Sequence, residues 1–308
     1  MDIGLANRNS SKSATFTYTC SATLDGTPYP LDGLVFADAE TTNDGEFIRA
    51  DLPAGTVMRV IERYRAPGCS TGYDVNVSGT TYTFSTRAPY SCYLSPGSAN
   101  AMGIYFIDNT SNSLSVNATI TVSSQGGLQA VALGVSTHVA DFGDAPASYG
   151  VAAHTPQFAW SGGTLPQGDT DIFDPGFSPA TLNPPATAVL GTQVDSERTP
   201  QHSVAANGDN LDGVDDEDGL VVSTLPPLLR GRAGQSYTVP VACKGSSPVA
   251  GWIDFDRNGT FESDERSATA SCSSGTATLV WTINADTAAG SSYMRIRTAL
   301  AAADIANP

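Results

Sequence analysis

The chain has 308 residues, of which 40% are hydrophobic and only 15% charged, with 31 Asp and Glu against 15 Lys and Arg for a net charge of −16. That length suits two domains at about 150 residues each, and the apolar share excludes a disordered chain. The acidic balance excludes a nucleic-acid partner, whose phosphates need Lys and Arg, and an anionic membrane surface; it favours cations, Ca²⁺ first, because Ca²⁺ takes hard oxygen ligands.

Residues 1–140 read as strands throughout. Phe16, Tyr18, Cys20, Ala22 and Leu24 alternate with polar residues, the period of two that marks a half-buried strand. Tyr73-Val75-Val77, Tyr82-Phe84 and Leu114-Val116-Ala118-Ile120-Val122 repeat the pattern between turns rich in Gly, Asn, Asp and Pro. No stretch carries a sustained helical stripe, so an antiparallel β-sandwich is expected.

The composition changes after Asp141. Ten of the nineteen prolines lie between Asp141 and Pro227, with few alternating segments. So long an irregular stretch needs something to organise it, and its acid clusters suggest a metal. Strands return at Tyr237-Val239-Val241, Ala277-Leu279-Trp281-Ile283 and from Ser292 to Ala299. The fold expected is therefore all-β, two β-sandwich domains with a boundary at 140/141, the second (141–308) holding a long loop-rich, calcium-organised segment.

The sharpest local signal is Asp254-Phe-Asp256-Arg-Asn258-Gly-Thr260-Phe-Glu262-Ser-Asp264-Glu265. It fits the calcium-loop pattern at every specified position. Asp254, Asp256 and Asn258 would turn oxygens inward, Gly259 would allow the bend, and Thr260 would offer its carbonyl. Glu262 would act through water and Glu265 would supply two oxygens. The preceding Val249–Phe255 reads as a strand, so the loop is expected on a β scaffold and not in a helical switch.

Six acids crowd residues 209–218: Asp209, Asp212, Asp215, Asp216, Glu217 and Asp218. Their mutual repulsion requires either water or a cation, so they form, with Asp195 and Glu197 upstream, a second candidate metal site. Asp169, Asp171 and Asp174 form a weaker one.

Among five cysteines, Cys243 pairs most naturally with Cys272, and Cys69 with Cys92 across the strand-rich 73–85 stretch, leaving Cys20 over. Five buried thiols is the alternative. Disulfides imply a protein outside the cytoplasm. No apolar run approaches the roughly 18 residues of a membrane helix, so no direct membrane insertion is expected. The Met1-Asp-Ile-Gly start has no signal-peptide pattern. Only two lysines, Lys12 and Lys244, are available for an internal isopeptide crosslink.

No Gly-x-Ser-x-Gly elbow, His-Glu-x-x-His pair or phosphate loop occurs, and His138, His154 and His202 read as loop or packing residues. The chain is not expected to be an enzyme.

Four stretches in order resemble the GEVED domain of bacterial secreted and surface proteins: Asp141-Phe-Gly-Asp144-Ala-Pro146-Ala-Ser-Tyr149-Gly150, Leu190 to Glu197, Asn207 to Gly219, and Trp252-Ile-Asp254-Phe-Asp256. The Gly-Glu-Val-Glu-Asp sequence that names the family does not occur before Pro308, so the domain is expected to be truncated at its C-terminus. Gly33 to Glu40, Ile61 to Arg65, Cys69 to Tyr73 and Gly127 to Val135 resemble the second non-repetitive domain of CshA-type fibrillar adhesins. That resemblance implies a lectin-like sandwich on a bacterial cell surface or secreted protein, monomeric as a fragment, engaging a glycan or a matrix protein such as fibronectin.

The leading reading is therefore adhesion. Candidate ligand contacts in the first domain are Asp38, Glu40, Asp44, Glu46, Tyr64, Tyr73 and Tyr90, because acids and aromatic faces suit sugar hydroxyls and ring faces. A spacer without its own ligand and a carbohydrate-active enzyme are the alternatives; the last needs two cleft carboxylates roughly 5–9 Å apart and free of metal.

Overall fold

The computed structural model describes residues 2–6, 12–24, 26–29, 31–39, 42, 45–87, 101–124, 128–136, 140–194, 197, 199–208, 219–228 and 231–308. The fold is all-β. Among the described residues the helical elements are short 3-10 turns such as Ala147–Tyr149 and Ser263–Glu265. The chain divides into two compact units: Met1–His138 with Trp160–Leu182, and Val139–Ala159 with Asn183–Pro308.

Two antiparallel sheets build the first unit. One runs, in spatial order, through Asp2–Ala6, Leu128–Ser136, Gly33–Asp38, Ala101–Asp108 and Val57–Arg65. The other runs through Gly168–Asp171, Gly72–Ser78, Thr81–Arg87, Phe47–Asp51, Ser115–Ser124, Lys12–Leu24 and Thr27–Tyr29. Period two decides what faces inward. Leu34 and Phe36 on one sheet, and Tyr73, Val75, Val77 and Phe84 on the other, enter a common core. The Phe36 ring meets Phe84 edge-on at 5.3 Å and stacks on Tyr105 at 5.0 Å. Each such ring, fully buried, contributes about 1.5–3 kcal/mol.

Trp160–Leu182 clusters with the first unit, although it follows residue 140 in sequence. Gly168–Asp171 adds a strand beside Gly72–Ser78, with Thr170 opposite Val75. On the other sheet, Val60 at the edge donates its N–H to the Gly163 carbonyl (2.8 Å) and accepts from the Ala180 N–H (2.7 Å). Only glycine fits at 163: its φ is +63°, and a Cβ there would lie 2.6 Å from the Val60 carbonyl oxygen. Leu165 and Ile172 fill the core from this segment, and Arg65 stacks over Phe173 at 4.9 Å. The segment thus covers edge strands that would otherwise present unpaired backbone groups.

The second unit holds two three-stranded antiparallel sheets, Val189–Leu190/Ser236–Lys244/Thr276–Thr282 and Ala270–Ser271/Pro248–Ile253/Met294–Thr298. Tyr237, Val239 and Val241 face Ala277, Leu279 and Trp281 in its core. Pro248–Ile253 is buried on both faces, since Val249 and Ile253 join that core while Ala250 and Trp252 pack with Ile305 on the other side. Cys243 and Cys272 form a disulfide across 29 positions of sequence. By loop-closure entropy such a crosslink is worth about 3–4 kcal/mol. Cys69 is also disulfide-bonded, Cys20 is a free thiol, and Cys92 lies outside the described residues.

Ile172 tests the reach of the first unit beyond residue 140. Ile172→Ala should lower the stability of that unit by about 2–5 kcal/mol, the usual range for emptying a buried isoleucine site. Urea unfolding followed by the first unit's signal measures it; an unchanged midpoint would refute the packing role.

Candidate metal centre

The loop 254–265 starts where the doubly buried strand Pro248–Ile253 ends, so its first acid is drawn inside. Asp254 is fully buried and Glu265 is 2% exposed, while Asp256 is not buried. Carboxylate oxygens of these three lie within 4.8 Å of one another.

Backbone donors shape the turn. Asp254 Oδ1 accepts from the N–H groups of Arg257 (2.5 Å) and Asn258 (3.2 Å), and Oδ2 from the Gly259 N–H (3.1 Å). Asp256 Oδ1 accepts from the Asn258 N–H (2.9 Å), and Asn258 Oδ1 from the Thr260 N–H (2.9 Å). Each polar side chain therefore folds the chain toward the residue two or more positions on, which is why Asp and Asn recur at this spacing. Gly259 takes φ +88°, a left-handed conformation that costs glycine little. Glu265 closes the loop, accepting from the Phe255 N–H (2.6 Å) and the Glu262 N–H (3.0 Å). Asn258, Thr260 and Glu262 bond to one another on the exposed side, with Glu262 Oε1 accepting from Asn258 Nδ2 (2.8 Å) and the Thr260 hydroxyl (2.5 Å).

Those two donors lower the Glu262 pKa, the Thr260 hydroxyl most. Burial does the opposite at Glu265 and pushes its carboxyl up to about 7. None of the ion pairs among the described residues reaches the loop. Arg257 turns away, donating to the carbonyls of Ala289 (2.8 Å) and Ser291 (2.8 Å). The donor set is all oxygen, two of its carboxylates are buried, and among the described residues no basic side chain forms an ion pair with it. These residues fit a hard divalent cation.

Sequence reasoning missed a further contact. The Tyr149 hydroxyl donates to Asp254 Oδ2 at 2.6 Å from 105 residues away. Tyr149 lies in a motif the sequence singles out, but no local pattern points its hydroxyl at the loop.

The other candidates fall elsewhere. Asp209, Asp212, Asp215, Asp216, Glu217 and Asp218, with Asp195, lie outside the described residues. Glu197 accepts from the Phe142 N–H (2.9 Å). Asp171 accepts from the Tyr73 and Phe173 N–H groups and stands 3.7 Å from Arg87, while Asp169 accepts from Asn76, so these acids serve strand pairing.

In the first unit, Asp38 is 1% exposed and accepts from the Thr42 hydroxyl (2.7 Å) and the Tyr73 hydroxyl (2.8 Å). Tyr73 is fully buried, and Glu46 is buried and accepts from the Ser124 hydroxyl. These three side chains lie in the interior of the first unit. Tyr64 is 51% exposed, and Glu40, Asp44 and Tyr90 lie outside the described residues.

The fold is all-β, with an acidic loop at the end of a buried strand. Residues 1–136 match the family described as surface adhesin CshA non-repetitive domain 2, and residues 248–308 match the GEVED domain family. Both are the families the sequence motifs resemble. The second match takes in only the last of the four GEVED-like motifs, Trp252 to Asp256. No curated protein and no solved structure matches the chain. The matched domains support a surface adhesin or stalk role at the cell surface or outside the cell, and they suggest a protein that is not an enzyme. No helix among the described residues is long and apolar enough to cross a membrane.

His154 gives the second unit a pH signature. Its Nε2 accepts from Arg297 Nε (3.0 Å), and burial, then the charges of Arg297 and Arg295, push its pKa down to about 4. Because the folded value lies below the ordinary one near 6.5, this group's contribution is present above pH 6.5 and fades as pH falls toward 4. NMR titration should show a neutral His154 ring at pH 5; protonation near pH 6.5 would refute the buried contact.

Proposed function

We propose that this protein is a surface adhesion module: the first unit binds an extracellular glycan or matrix protein, and the second is a support stabilised by one Ca²⁺ in the 254–265 loop. The adhesion reading is carried by the match of residues 1–136 to a surface adhesin domain. The metal reading is carried by the convergence of Asp254, Asp256 and Glu265 with no ion-pair partner among the described residues.

Asp254, Asp256 and Glu265 would hold the ion, with Asn258, Thr260 and Glu262 on its open side. The ion supplies positive charge and oxygen-seeking coordination, offsetting repulsion that buried acids otherwise suffer. Extracellular modules of this type bind calcium at roughly 10⁻⁴–10⁻³ M, close to ambient levels, so the role is stiffening and not switching. A ligand bound only to the folded state at a hundredfold over Kd adds about 2.7 kcal/mol.

Calorimetric titration should show one calcium per chain, and chelation should lower the melting temperature of the second unit first. Asp254→Ala should erase that difference. Because Glu265 must give up a proton held to about 7, affinity should weaken as pH falls below that value, approaching tenfold per pH unit. Identical melting in calcium and in excess chelator would refute the metal role.

Loops at the sandwich ends carry ligands because the sheets fix their bases while their tips vary. A glycan and matrix-protein array should find binding in the full chain and in residues 1–182, which retain the returning segment, but not in residues 183–308. Binding confined to 183–308 would reverse the assignment. Binding by none would favour the stalk reading, which the adhesin-type matches equally accommodate.

A further inference from the structure

The motif Pro146-Ala-Ser-Tyr149-Gly150 matches no strand and supplies no carboxylate to the loop, yet it is held against it at several points. Pro146–Tyr149 closes a single 3-10 turn, with the Tyr149 N–H on the Pro146 carbonyl (2.9 Å). The turn points its tyrosine at the first acid of the loop, where the hydroxyl donates to Asp254 Oδ2 (2.6 Å). The ring packs on Phe261 of the same loop (4.6 Å between centroids) and on Tyr293 (5.0 Å). Ser148 lies beside the bend, so that a Cβ at Gly259 would sit 3.5 Å from its hydroxyl. Arg295 grips the turn from the strand side, donating to the carbonyls of Tyr149 and Gly150 at 3.0 Å each, while its guanidinium lies 5.2 Å over Phe261.

We infer that Tyr149 is the positioning residue of the metal loop, and that metal occupancy and docking of the 146–150 turn stabilise one another. The inference rests on the metal reading above. Its physical basis is the division of labour on Asp254. Two backbone N–H groups hold Oδ1, and the Gly259 N–H with the Tyr149 hydroxyl hold Oδ2, so the carboxylate plane is fixed. Three of those donors come from the loop itself and form whenever the turn forms. The fourth comes from outside it and locks the carboxylate to the body of the unit. Outer partners of this kind orient a ligand and commonly govern metal affinity by 10- to 100-fold. Coupling is reciprocal: if the docked turn tightens the ion, the bound ion must hold the turn by the same factor.

The test uses the full chain. Tyr149→Phe keeps the ring against Phe261 and Tyr293 and removes only the hydroxyl. Calcium titrated into it should bind about 10- to 100-fold more weakly than into the unaltered chain. Its melting temperature in chelator should stay close to that of the unaltered chain in chelator. Tyr237→Phe serves as the control, since it loses a comparable hydroxyl bond, to the Pro226 carbonyl at 2.8 Å, at a distance from the loop in sequence; its calcium affinity should not change. Hydrogen exchange at residues 147–150 should slow when calcium is added to the unaltered chain, and slow less in Tyr149→Phe. Equal calcium affinity in Tyr149→Phe and the unaltered chain overturns the positioning role alone. Equal weakening in Tyr149→Phe and Tyr237→Phe also overturns it, because the effect would then be general loss of stability. No calcium uptake by the unaltered chain overturns the metal reading and this inference with it.

Discussion

Burial of two carboxylates at the end of a strand is the constraint around which the second unit is arranged. Asp254 and Glu265 sit where water is excluded, and a bare charge there costs several kcal/mol. The chain responds with donors: among the described residues, six hydrogen bonds reach these two side chains, five from backbone N–H groups and one from a tyrosine. Donors alone do not offset that burial, which still raises the Glu265 carboxyl. The same burial that stores this charge fixes the loop's geometry, since Ile253 and Phe255 on either side of Asp254 are anchored in the core.

Much of the architecture was legible because period two is a local signal. Val116, Ala118, Ile120 and Val122 are all buried, and Leu114, the residue that continues their spacing backward, lies before the strand and is half exposed. The acidic loop at 254–265 was legible for a similar reason: its polar side chains are close in sequence and each bends the chain toward the next.

The rest depended on contacts distant in sequence. Nothing in Gly168-Asp-Thr-Asp171 announces that it pairs with Gly72–Ser78, because edge addition is made by backbone hydrogen bonds that any residue can supply. Proline-rich irregularity from 141 to 227 read as a stretch needing a metal, whereas part of it is organised by joining an existing sheet. The burial of Asp38 was a signal within reach. It shares the period-two face of Leu34 and Phe36, and its partner Tyr73 shares that of Val75 and Val77, so both point inward together. Weighing residue type over strand phase is what made them candidate ligand contacts.

The Cys243–Cys272 bond has a mechanical consequence. It brackets the whole 254–265 loop, so tension applied along the backbone passes from one sulfur to the other and not through the residues between. At about 3.3–3.6 Å per extended residue, those 29 positions withhold roughly 100 Å of contour length from any pull on the chain. The acidic loop is thus carried beside the load path, and force that peels strands from the rest of the unit leaves the bracketed segment slack.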